Sequence, residues 1–206
     1  GVVIHGNPGF FSVGLDLPEL YAYDAAGFDA FWRDFMGLIR DMLLFDKPLV
    51  ASITGHAPAG GCILAIGCDY RVMAEGNYKI GLNEIPVGLV VPAPIYDIYA
   101  SWIGPRLAYQ YLMEGKLYLP EHAREIGLVD EVVSGDAVLQ TAEQKLQQYL
   151  RYNEQSWRLT KRQLKRALVH AMDSISESDM QVIQAQWWSP AIRQLLEQFA
   201  ENLKKK

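Results

Sequence analysis

The run Leu49–Thr54 is apolar and β-branched, and it leads through Pro58-Ala59-Gly60-Gly61 into a second apolar run, Gly60–Gly67, of helical character. A strand that turns through a glycine pair into a helix points to an α/β architecture. The rest of the chain keeps that alternation. Strands are expected at Val2–His5, Leu49–Thr54, Tyr70–Ala74, Tyr78–Ile80 and Leu128–Val133. Within Phe28–Phe45, apolar residues at Phe28, Phe31, Trp32, Phe35, Leu38, Ile39, Met42 and Leu43 approximate an i, i+3, i+4, i+7 stripe. That stripe reads as core rather than a binding groove, and Asp24 as the helix N-cap. A further helix starts at Leu119-Pro120-Glu121 and ends near Gly127. After Gly135 the chain reads as helical, over Ala137–Arg151, Trp157–His170, Ser176–Trp187 and Pro190–Lys206. The alternation favours a largely parallel sheet with helices packed outside. A boundary near Asn153 divides an α/β core, residues 1–153, from a helical C-terminal region, residues 154–206.

Two short segments carry the chemistry. The glycine pair at Gly60-Gly61 sits where a helix start leaves free backbone N–H groups beside the positive end of the macrodipole. Amides aimed at a developing oxyanion contribute on the order of 3 kcal/mol for one donor. The same dipeptide by itself is more often only a tight turn with close packing. About twenty residues on, Gly81-Leu82-Asn83-Glu84 offers a single carboxylate flanked by Leu82, Ile85 and Val87. An apolar setting would raise its pKa and suit it to act as a base. Asn83 and Pro86 also fit a surface turn.

With Phe10-Phe11-Ser12-Val13-Gly14-Leu15-Asp16-Leu17, Thr54–Tyr70, Gly81–Gly88 and Ala123–Val133 taken in order, nearly the whole chain resembles the crotonase superfamily, the enoyl-CoA hydratase/isomerase fold. The resemblance is greatest to its mitochondrial-type Δ3,Δ2-enoyl-CoA isomerases, in the stretches Ala57–Cys62 and Ile80–Glu84. It implies a crotonase-like α/β fold, a spiral of repeated ββα units with a C-terminal helical trimerisation region. It also implies an acyl-CoA thioester substrate in fatty-acid β-oxidation, with no cofactor because coenzyme A is part of the substrate. By position, the N–H groups of Leu15 and Gly60 are the oxyanion donors and Glu84 the acid/base. The resemblance also implies that Ser12, Val13, Gly14, Ala59, Gly61, Ile63 and Leu89 bind substrate. Family hydratases hold water with two glutamates, at positions matching Glu84 and Ile63. Isoleucine moves no proton, so one-base isomerisation is expected here. Rival readings are thioester hydrolysis, decarboxylation or hydration on the same scaffold, or a non-catalytic protein of this fold.

Members of the family usually carry two more strands ahead of the one matching Val2–His5, so the N-terminal strands are expected to be missing from this chain. The resemblance further implies a homotrimer or dimer of trimers. Its location would be the cytoplasm in a bacterium or the mitochondrial matrix in a eukaryote.

With 206 residues, 50% hydrophobic, there is enough apolar side chain for one sizeable core. A net charge of −5 argues against broad nucleic-acid binding, and no apolar run is long enough for a membrane span. Cys62 and Cys68 read as buried free thiols. His5, His56, His122 and His170 have no metal spacing. Asp16 is expected to cap or turn, Asp69 to be structural, and Asp130 to hydrogen-bond in the core. Tyr96, Tyr99 and Trp102 are expected to line or support an acyl pocket, or to pack between helices. The cations Arg158, Lys161, Arg162, Lys165 and Arg166 form either a solvated helix face or a set of CoA phosphate contacts. The terminal Lys204–Lys206 reads as a frayed tail.

Overall fold

Two parallel sheets organise the chain. The computed structural model describes the backbone of residues 1–204 and the side chains of residues 1–198. The larger sheet has the order β1 (Val2–His5), β3 (Leu49–Ile53), β5 (Tyr70–Ala74), β7 (Glu131–Val133). All its ladders are parallel, with Ile4 opposite Ala51, Ser52 opposite Val72 and Met73 opposite Val132. Every residue of β3 is buried, as expected of a parallel strand covered on both faces. Ala51 and Ile53 join the main core, while Val50 packs with Val72, Val138 and Ala142. Ser52, polar and fully buried, is satisfied by His5 Nδ1 at 2.9 Å.

The smaller sheet has the order β2 (Gly9–Phe10), β4 (Gly55–Pro58), β6 (Ile80–Gly81), also parallel. The expected strand at Tyr78–Ile80 is therefore displaced to Ile80–Gly81, and β4 was not anticipated.

Helix α1 (Leu17–Ala22) is capped by Asp16, and α2 (Ala25–Leu44) by Asp24, whose carboxylate accepts from Gly27 N at 2.8 Å. The buried stripe of α2 is Phe28, Trp32, Met36, Ile39, Met42 and Leu43. Leu38, expected in the core, is 50% exposed, and Met36 takes an inward place instead. α3 (Gly60–Gly67) follows β4. α4 (Ala93–Ile103), α5 (Pro105–Glu114), α6 (Pro120–Glu125) and α7 (Val138–Leu150) complete the first three-quarters of the chain.

The last helices are α8 (Glu154–Asp173), α9 (Glu177–Trp187) and α10 (Pro190–Lys204). α8 packs on α2 and α4, α9 on α2, and α10 on α1. Phe28 stacks on Trp187 with centroids 4.7 Å apart, closing a second hydrophobic cluster over α2. The basic run on α8 is corrected by its partners. Lys161 is buried and pairs with Asp69 at 2.6 Å; Arg162 makes two 2.8 Å bonds to Asp46; Lys165 Nζ lies 4.5 Å from the Trp102 ring centroid. Lys161 and Lys165 are thereby drawn in against their own chain, while Arg162, with its side chain 54% exposed, pairs with Asp46 on a solvated face. The expected tail at Lys205 and Lys206 lies outside the described residues.

Candidate active site

The small sheet builds the site. Its three strands run in parallel, so their carboxyl ends open at one edge, where α/β sheets place ligands. From β2 the chain passes into Phe11–Leu15, from β4 into Ala59-Gly60 and α3, and from β6 into Leu82–Glu84. Phe11 N and Ser12 N both donate to His56 O, at 3.0 and 3.4 Å, and Ala59 N donates to Gly81 O at 2.9 Å. The three exits are thereby fixed to one another by backbone bonds.

At the second exit Ala59 takes φ +48°, ψ −121°, the sole non-glycine residue with positive φ among the described residues. Such a conformation costs on the order of 1–3 kcal/mol. It turns the chain into α3 with Gly60 N–H unused. Gly14, at φ +95°, approaches so closely that a Cβ on Gly60 would lie 3.0 Å from Gly14 Cα and 3.4 Å from Leu15 N. Neither Leu15 N nor Gly60 N has an acceptor among the described residues. Two free amides thus flank one opening.

Glu84 stands at the third exit and opens a short 3-10 turn, Ile85–Val87. Its carbonyl accepts from Val87 N and Leu89 N, at 3.1 and 2.9 Å, which holds the backbone. Glu84 is 7% exposed, and both carboxylate oxygens lack hydrogen-bond partners among the described residues. Burial pushes its pKa up from 4.5 to about 7, against a weak pull from its own N–H that falls short of hydrogen-bond geometry.

A cavity of about 250 Å³ joins these groups. Leu15, Gly60 and Glu84 line it together with Val13, Ala59, Ile63 and Leu89. Glu84 is its one ionisable group among the described residues. Ser12, Gly14 and Gly61 lie behind the wall and shape it. Ser12 Oγ accepts from Gly14 N at 3.2 Å, and a Cβ on Gly61 would come within 2.1 Å of Ser12 O. Trp32 and Phe35 of α2 are both core and cavity wall, which corrects their reading as core alone, and Met36 joins them in the wall. Asn83, also in the wall, was missed; its Oδ1 is buried without a partner, and adjacency to Glu84 was the available signal.

Other candidates fall elsewhere. Tyr99 is buried in the main core and Trp102 packs against Arg71, so neither they nor Tyr96 line the cavity. Asp16 caps α1, Asp69 pairs with Lys161, and Asp130 pairs with the fully buried Arg71 at 2.6 Å. Both cysteines are free and buried. No group of three or more metal-ligating side chains is found among the described residues.

The sequence profile of the enoyl-CoA hydratase/isomerase family matches residues 1–206. The chain belongs to that family. Among enoyl-CoA hydratase/isomerase relatives, the mouse protein "Enoyl-CoA delta isomerase 1, mitochondrial" is 37% identical over 208 residues, covering 100% of this chain and 72% of the relative. The Escherichia coli 2,3-dehydroadipyl-CoA hydratase is 32% identical, over 80% of this chain and 64% of that protein. The crystal structure of human mitochondrial delta3-delta2-enoyl-CoA isomerase superposes with a TM-score of 0.94 at 32% identity, covering 100% of this chain and 80% of that one. The fold is that of the family, a crotonase-like α/β spiral.

Proposed function

We propose that this chain is a Δ3,Δ2-enoyl-CoA isomerase of fatty-acid β-oxidation. The observation that carries the reading is a single carboxylate, with a pKa near neutrality, in an otherwise uncharged cavity beside two free amides. Ionised Glu84 removes the α-proton of a β,γ-unsaturated thioester, and the electron pair moves onto the thioester oxygen. The N–H groups of Leu15 and Gly60 hold that oxyanion, contributing on the order of 3 kcal/mol each. Glu84 then returns the proton to the γ-carbon as the enolate collapses, leaving the double bond between the α- and β-carbons. A carboxylate without hydrogen-bond partners can turn between two carbons, which suits one base to both steps. Ile63, 6% exposed beside the cavity, supplies no second carboxylate to hold water, and this supports isomerisation over hydration.

The chemistry calls for no cofactor, since coenzyme A belongs to the substrate. Apolar side chains left exposed on α5 and α8, Tyr109, Met113 and Leu164, support assembly into a homotrimer or a dimer of trimers. The mouse relative's name supports the mitochondrial matrix in a eukaryotic cell; in a bacterium the enzyme would work in the cytoplasm. Among the described residues no helix is long and apolar enough to cross a membrane.

The test is product identification after incubation with a 3-enoyl-CoA. Conjugated trans-2-enoyl-CoA without 3-hydroxyacyl-CoA or free CoA is expected, and Glu84→Gln should lower the rate by about 10²–10⁴-fold. Free CoA would replace this reading with thioester hydrolysis, and a hydrated product would replace it with hydration.

A further inference from the structure

Behind the catalytic cavity lies a second one of about 260 Å³, and the two have Met36, Val90, Val91 and Pro92 as common walls. Ile175 and, from α9, Met180 and Ile183 line the second chamber, so much of its wall is hydrocarbon. Its rim carries two carboxylates, Asp97 of α4 and Asp179 of α9. Asp179 is held ionised by the Ser176 hydroxyl and amide, which lower its pKa. Met36 is 6% exposed and has an unbranched, readily re-oriented side chain, the type that yields to a flexible guest.

We infer that the two chambers form one acyl channel, that Met36 at their junction sets chain-length preference, and that the channel takes unbranched methyl-ended tails and rejects those ending in a carboxylate. The inference rests on the acyl-CoA reading above. Its physical basis is simple. A tail that stops in the first chamber leaves the second unfilled, while each methylene carried past Met36 leaves water for an apolar wall. A terminal carboxylate would lose its hydration and meet Asp97 and Asp179, with no cation among the chamber's lining residues to offset them.

The experiment is calorimetric titration with saturated acyl-CoA thioesters of increasing length, which reads the channel without requiring turnover. For the wild-type chain, affinity is expected to rise about fourfold per methylene and to keep rising after the first chamber is full. Met36→Phe should make the series level off earlier, and Ile183→Phe, narrowing the second chamber from the opposite wall, should do the same. An ω-carboxyl thioester should bind more weakly than its methyl-ended counterpart of equal length, and Asp97→Asn should narrow that gap. A wild-type series that levels off where the Met36→Phe and Ile183→Phe series do would overturn the inference, as would equal affinity for charged and methyl-ended tails. The expected series in a protein that turns over no enoyl-CoA would support the channel and remove only the assigned reaction.

Discussion

Replacing Glu84 with glutamine should make the protein catalytically poor and, above neutral pH, more stable. The carboxyl is buried without hydrogen-bond partners, and burial lifts its pKa from 4.5 to about 7. Below about pH 4.5 both folded and unfolded chains hold the proton, and Glu84 neither adds nor removes stability relative to that protonated state. Between 4.5 and 7 the folded chain keeps the proton that the unfolded chain releases. Stability contributed by that proton is thus lost as pH rises through the folded pKa. The gap corresponds to about 3 kcal/mol, fully expressed above pH 7. Glutamine has nearly the same shape and no charge to desolvate, so the variant should lack this slope. The assay is urea unfolding of both proteins, at equal concentration, at about pH 4 and about pH 8. The stability difference should grow by about 3 kcal/mol in favour of Glu84→Gln, or roughly 6–12 °C in Tm for a domain of this size. The wild-type kcat/KM should rise with pH to a plateau, with its midpoint near 7. A stability difference independent of pH, or a midpoint near 4.5, would refute the claim that burial tunes this carboxyl.

The backbone site makes its own predictions. Gly60→Ala should lower kcat by about tenfold or more while the chain still folds, because the new methyl would press on Gly14 Cα at 3.0 Å and spread the two amides; steady-state kinetics checks this. Gly61→Ala places a methyl 2.1 Å from Ser12 O, a contact only backbone movement can relieve, so a loss of about 2 kcal/mol or more is expected in denaturant unfolding. Asp130→Asn leaves the fully buried Arg71 charge uncompensated and should cost about 3–5 kcal/mol, read in the same way.

Local chemistry made part of this fold readable. α3 occupies Gly60–Gly67 and β5 Tyr70–Ala74, because apolar runs bounded by glycine or polar residues declare their own ends. Asp24 announced α2 by capping chemistry alone. β4 was unreadable because Gly55-His56-Ala57-Pro58 has the composition of a turn, and it is extended only through ladders to two-residue partners distant in sequence. The partners of the α8 cations were unreadable for a related reason. Lys161 meets Asp69 across 92 residues and Arg162 meets Asp46 across 116, and spacing along one helix does not reveal partners that remote. At the site, Glu84 and the glycines could be matched by resemblance to a family. Met36 and Asn83 could not, since their place in the wall depends on how α2 and the turn after β6 meet around the cavity.

The ladder of β2, β4 and β6 also bears on how this site tolerates mutation. The proposed oxyanion donors are main-chain atoms, and their spacing is set by pairings such as Gly9 with Gly55 and Pro58 with Gly81. Side chains that face solvent at this exit, Phe10 of β2 at 53% and Val13 of the loop after it at 61% exposed, can drift through many alternatives without moving an amide. Deleting or inserting one residue between Gly9 and Leu15 would shift Leu15 N away from Gly60 while leaving almost every letter unchanged. The information that this site must inherit is a count of residues between pairing points, more than the identity of the residues counted.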